Sequence, residues 1–112
     1  MKSRGYLVFH INLAFSSISE EERENVIRKC YHPLLDIIER NNISVGIELS
    51  GWTLIQMQRI DPEWVERLGK LIDSKNCELV GSGYCQIIGP LVPYKVNEWN
   101  QRLGRDIYEN IL

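Results

Sequence analysis

Three short apolar segments of this 112-residue chain are each interrupted by side chains able to do chemistry. His10 and Asn12 break the first, Glu48 and Ser50 the second, and Glu78 the third, just ahead of Gly81-Ser82-Gly83. Buried parallel strands normally read as nearly continuous apolar runs, so these interruptions ask for a reason. The period-two alternation of a strand puts His10 with Asn12 on one face, and Glu48 with Ser50 on one face. Parallel strand ends converge on the edge where α/β folds hold ligands. A histidine, an amide and two carboxylates gathered there would offer hydrogen bonds and acid–base groups to one polar ligand.

Each residue also has a plainer reading. A strand histidine can be a hydrogen-bonded core residue, and Glu48 can pair with a cation on a half-exposed strand. Glu78 is harder to dismiss, because an unpaired carboxylate among Cys77, Leu79 and Val80 is costly to bury. His32, next to Pro33, reads as a surface or helix-kink residue. Trp52 follows a strand end and serves either as a stacking platform or as core packing. Other chemistries find no support. Gly81-Ser82-Gly83 lacks the further Gly or Lys of nucleotide loops, and no GxSxG elbow occurs. Neither HxxxH nor HExxH is present, so no metal or other cofactor is expected.

The elements that must position these residues alternate. Tyr6–Leu13 is a β-prone run. Ser19 and Glu22 have capping-box spacing, and Glu20, Glu21 and Glu22 suit the positive end of a helix dipole. Val26, Ile27, Cys30, Leu34 and Ile38 form one apolar stripe on that helix. Pro33 predicts a kink or restart, and Asn41-Asn42 the end. Ser44–Leu49 is the second strand, followed by a short helix over about 53–59. Asp61-Pro62 opens another helix, with Trp64, Val65, Leu68, Leu71 and Ile72 on its apolar face. Cys77–Val80 is the third strand. A last helix from about Val96 to the C-terminus presents Trp99, Leu103, Ile107 and Leu112 inward. The order βα, βα, βα implies α/β architecture with parallel pairing and right-handed crossovers. No linker or repeat divides residues 1–112, so one domain is expected, too narrow for a complete barrel.

Composition excludes several classes of partner. Thirteen Lys and Arg against 15 Asp and Glu leave a net charge of −2, which provides no basic field for nucleic acid. The apolar run Tyr6–Phe9 is far below the roughly 18 residues of a membrane span. It is also too short for a signal peptide. Cys30, Cys77 and Cys85 are odd in number and lack CxxC spacing, so they read as reduced, partly buried thiols of a cytoplasmic protein.

Four segments, in order, resemble motifs of glycoside hydrolase family 57. Phe9-His10-Ile11-Asn12-Leu13-Ala14-Phe15-Ser16 resembles its first motif, a strand-end histidine near the N-terminus. Cys30-Tyr31-His32-Pro33-Leu34-Leu35 is similar to a family helix, and Ser50-Gly51-Trp52-Thr53-Leu54 to a turn after a strand. Glu78-Leu79-Val80-Gly81-Ser82-Gly83-Tyr84, followed by Ile88-Gly89-Pro90-Leu91-Val92-Pro93, resembles the second motif. Ser82 stands where the family often has Gly, and Cys85-Gln86 replaces its usual pair.

The resemblance implies an incomplete (β/α)7-type barrel related to polysaccharide deacetylases, acting on α-glucans. This chain would be the barrel's N-terminal segment. It implies that His10 and Glu78 contact the sugar, with Asn12 and Tyr84 in the wall. The family's nucleophile Glu and acid/base Asp lie on later strands, so no catalytic residue is assigned here. Three readings follow. The first is an N-terminal barrel segment that binds oligosaccharide or polysaccharide, completed by the remainder of a longer barrel. The second is a non-catalytic binding or assembly module that self-associates through its open sheet edge into a homo-oligomer. The third, a deacetylase-like metal enzyme, lacks the Asp-Asp and HxxxH ligands.

Overall fold

The computed structural model describes residues 1–112. Three strands, Val8–Ile11 (β1), Val45–Leu49 (β2) and Cys77–Gly81 (β3), form a parallel sheet in the order β1-β2-β3. The first strand is shorter than the apolar run predicts. Its register runs from Val8↔Gly46 to Ile11↔Leu49, and β2 ends there because Ser50 turns the chain into a helix. Asn12 and Leu13 therefore have no strand beside them.

Only one face of the sheet is covered. Ile11, Val45, Ile47, Leu49 and Cys77 pack with Leu35, Ile38, Leu54, Met57, Trp64 and Leu68 in a single buried cluster. The other face carries Val8, His10, Gly46, Glu48, Glu78 and Val80. Val8 is 55% and Val80 38% exposed. A radius of gyration of 14.8 Å, against about 13 Å for a compact chain of this length, fits a sheet left open on one side.

The first helical run opens with a 3-10 turn at Glu20–Glu22, where the Glu22 carboxylate accepts from the Ser19 N–H at 3.4 Å. It continues through Arg23–Val26 (α1), widens into a π turn at Ile27–Tyr31, and runs on over His32–Asn41 (α2). The expected kink at Pro33 is thus taken up by the turn just before it, since proline has no N–H and crowds the preceding turn. The extra residue shifts the phase of the buried stripe. Ile27, Leu35 and Ile38 are buried, while Leu34 is half-buried and Cys30 exposed. Of the thiols, Cys85 is exposed as well, and only Cys77 is buried; burial pushes its pKa up to about 11.

Helices Gly51–Ile60 (α3) and Pro62–Asp73 (α4) follow β2, with Asp61 capping α4 through the Trp64 N–H at 3.1 Å. Arg67 of α4 clamps α2. It donates to Asp36 at 2.6 Å, Glu39 at 3.0 Å and His32 Nδ1 at 2.8 Å, and His32 Nε2 donates to Asp61 at 2.8 Å. His32 is therefore a structural residue. The hydrogen bond from Arg67 holds the Asp36 carboxyl below the usual carboxylate range.

The last helix is Tyr94–Ile111 (α5), and of the four residues expected on its inner face only Ile107 lies there. Trp99, Leu103 and Leu112 are 58%, 44% and 38% exposed. Buried Asn100 and Gly104, with Tyr108 and Ile111, make up the rest of that face. The helix is rotated because Gly104 lets it approach the backbone of Gly83 and Tyr84. No helix of the chain is long and apolar enough to cross a membrane.

Candidate functional site

The carboxyl edge of the sheet is fixed by polar bonds to backbone groups. Where β1 ends, the Tyr31 hydroxyl lies 3.3 Å from both the N–H and the carbonyl oxygen of Asn12, and the Leu13 N–H donates to Thr53 Oγ1 at 3.4 Å. The π turn delivers Tyr31 to this contact, and burial raises its pKa. Where β2 ends, Ser50 Oγ caps α3 through the Thr53 N–H at 3.2 Å.

After β3 the chain is bolted between α3 and α5. The N–H groups of Gly51 and Trp52 donate to the carbonyls of Gly83 and Tyr84 at 2.8 and 2.7 Å. These bonds use donors that a helix start otherwise leaves unsatisfied. The Tyr84 N–H donates to the Asn100 carbonyl at 2.8 Å. The Asn100 side chain accepts from the Cys85 N–H at 2.9 Å and donates to the Cys85 carbonyl at 3.0 Å. Gly83 adopts φ +88°, a backbone state that glycine allows without strain. The Tyr108 hydroxyl donates to the Leu49 carbonyl at 2.6 Å and accepts from the Ser82 N–H at 3.1 Å.

This bracing aims Gln86 at the end of β1. Its Nε2 lies 3.1 Å from His10 Nε2, and its Oε1 accepts from Asn12 Nδ2 at 3.3 Å. His10 Nδ1 is in turn bonded to Glu48 Oε2, as the register pair His10↔Glu48 requires. Asn12, Ala14, Ser50, Trp52, Cys85 and Gln86 line a cleft of about 400 Å³ beside this chain of bonds. Trp52 packs against the core, as the second of its readings expects, and carries the Arg23 guanidinium 5.1 Å from its ring centroid.

The four residues expected at a ligand are not all brought together. His10 and Asn12 join one cluster, with Gln86 between them. Tyr84 adjoins the cleft through its backbone, which carries the α3 and α5 contacts. Glu78 stands apart: it is level with Gly46 and Val8, near the start of β3 rather than its end, exposed on the open sheet face. Two residues of strand separate that level from the His10–Glu48–Val80 level, about 7 Å along the sheet. Sequence reasoning missed Gln86 as a site residue and the partnership of Glu48 with His10. No signal marks Gln86, which stands outside any strand, but pairing of the first two strands was enough to find Glu48. No three His, Cys, Asp or Glu side chains gather closely enough to hold a metal ion.

Comparison with known proteins identifies the family of the chain. The family model described as Glycosyl hydrolase family 57 matches residues 8–112. An alpha-amylase of Pyrococcus abyssi is 26% identical over 92 residues, covering 74% of this chain and 14% of the amylase. An alpha-amylase of Pyrococcus furiosus is 27% identical over the same length and coverage. The chain thus spans about one seventh of the length of the curated relatives it matches. The crystal structure of 4-alpha-glucanotransferase from Thermococcus litoralis superposes with a TM-score of 0.82 at 18% identity, covering 95% of this chain and 17% of that one. The chain belongs to glycosyl hydrolase family 57, and its parallel β/α units have the architecture of a partial β/α barrel.

Proposed function

We propose that this chain is the N-terminal barrel segment of a family 57 glycoside hydrolase or glucanotransferase, and that it supplies the sugar-binding wall. The substrate class is α-glucan or a related polysaccharide, as the amylase and glucanotransferase relatives favour. The observation that carries the reading is the convergence of His10, Asn12 and Gln86 beside Trp52 at the carboxyl edge of the strands. Sugar hydroxyls both donate and accept, and this cluster offers an imidazole and two amides next to an indole ring. Gln86 joins His10 and Asn12 in this wall, Tyr84 holds it through its backbone, and Glu78 faces the open side of the sheet one level nearer the strand starts.

In this reading the nucleophile and the acid/base lie outside residues 1–112. Retaining chemistry needs two carboxyl groups about 5–5.5 Å apart across the scissile bond. Glu48 is engaged with His10, and the Cα atoms of Glu48 and Glu78 are about 8 Å apart diagonally across two strands. Titration of the 15N-labelled chain with a maltooligosaccharide should shift the resonances of His10, Asn12, Gln86 and the Trp52 indole. His10→Ala or Gln86→Ala should each weaken binding about tenfold, while the chain alone releases no reducing sugar. Binding that leaves those four resonances unmoved would overturn the assignment.

A second reading, assembly through the open sheet edge, is favoured by Tyr6 and Leu7 just ahead of β1 and Val8 at its start, which are 90%, 53% and 55% exposed beside a strand with a neighbour on one side only. Sedimentation of the chain should then show self-association that Val8→Lys abolishes, since a charge on an edge strand opposes pairing. A monomer at all concentrations would remove this reading.

A further inference from the structure

We propose that Glu48 is a positioning residue for His10: it fixes the imidazole with its proton on Nδ1, so that Nε2 meets the cleft as a hydrogen-bond acceptor. The assignment follows from what each partner is able to do. An ionised carboxylate only accepts, so the nitrogen bonded to Glu48 Oε2 carries the hydrogen. A side-chain amide nitrogen only donates, so His10 Nε2, 3.1 Å from Gln86 Nε2, presents its lone pair.

The orientation of the Gln86 amide is itself fixed. Its Oε1 accepts from Asn12 Nδ2 at 3.3 Å, and Asn12 is oriented because its Oδ1 accepts from the Ala14 N–H at 2.9 Å. Starting from one backbone N–H, the bonds run in a single direction through Asn12, Gln86 and His10 to Glu48. Moving the ring proton to Nε2 would set an N–H against an N–H at Gln86 and leave Glu48 facing a lone pair. Glu48 is suited to the task by its register level with His10 on the adjacent strand, and its side chain is only 16% exposed. The carboxylate's second oxygen, buried and without a partner, gives it no competing bond.

This deepens the sugar-wall reading and rests on it only for the identity of the ligand. A hydroxyl that displaces the Gln86 amide would donate to His10 Nε2, and the site would prefer a hydroxyl to a group that only accepts. His32 supplies an internal reference of the opposite kind. Arg67 donates to its Nδ1, so its proton sits on Nε2 and faces Asp61.

The test is long-range 1H–15N correlation of the labelled 112-residue chain at about pH 8, where ordinary imidazole is neutral. His10 should show a protonated Nδ1 and a bare Nε2, and His32 the reverse. The double variant Glu48→Ala/Gln86→Ala, which removes both partners of the ring, should move His10 toward the Nε2–H form while the His32 pattern, unchanged, reports an intact fold. Gln86→Ala should leave the His10 proton on Nδ1, because the bond to Glu48 suffices to hold it there. Maltohexaose binding should weaken about tenfold in Glu48→Ala. A wild-type His10 protonated on Nε2, or a Glu48→Ala/Gln86→Ala chain with the proton still on Nδ1, overturns the proposal. If no maltooligosaccharide binds the wild-type chain while the tautomers read as stated, the sugar-wall reading falls and the role of Glu48 stands.

Discussion

Gly104→Val should cost this chain at least about 3 kcal/mol in urea unfolding, because it places side-chain atoms where two backbones already touch. A Cβ at Gly104 would lie 2.6 Å from the Gly83 Cα and 2.8 Å from the Tyr84 nitrogen. Neither atom belongs to a flexible side chain, so relief requires α5 to withdraw or the 83–84 loop to move. Withdrawal breaks the bond from the Tyr84 N–H to the Asn100 carbonyl and uncovers Ile107, Tyr108 and Ile111. Gly104→Ala isolates the cause. In an open helix position alanine is favoured over glycine by about 1 kcal/mol, so a loss at 104 exposes the clash through that gain. Gly69, inside α4, is the control: a Cβ there would meet nothing within 4 Å, and Gly69→Ala should raise stability by about 0.5–1 kcal/mol. Equal responses at 69 and 104 would show that α5 does not depend on close approach.

The same residues show what was legible in the sequence. Local periodicity located the three strands, the capping Asp61 and the apolar face of α4, since short-range signals specify them directly. The carboxyl edge of β1 was legible too, because His10 and Asn12 break a strand pattern where ligands gather. Glu78 also breaks a pattern, but a strand residue's height depends on register, and register is set by pairing between segments far apart in the chain. The face of α5 was misread for a related reason. Hydropathy favours Trp99 and Leu103 as inward residues, whereas the helix is seated by Gly104, whose value is the absence of a side chain. Gln86 is placed by bonds from Asn100, itself distant in sequence, and no local pattern carries that information.

Asn100→Leu should cost about 2–3 kcal/mol and remove sugar binding, although Asn100 makes no contact with the cleft. Leucine adds apolar volume at a position only 6% exposed, a change that burial alone would favour. The side chain it replaces accepts from the Cys85 N–H and donates to the Cys85 carbonyl. Leaving a partly buried donor and acceptor without partners costs about 1–3 kcal/mol each, reduced here because Cys85 is open to water on one side. Asn100→Asp separates the two bonds. It keeps the acceptor for the Cys85 N–H, loses the donor to the carbonyl and adds charge, so less than half of the loss should be recovered. The functional arm follows from geometry, because Gln86 comes directly after Cys85. Once the Cys85 backbone is released, the Gln86 amide no longer reaches His10 and Asn12. Unfolding in urea measures the first effect. Maltooligosaccharide titration at a temperature where the variant stays folded measures the second. Retained binding in a folded Asn100→Leu chain would show that Gln86 finds the wall without its brace, and the sugar-binding assignment would then rest on β1 alone.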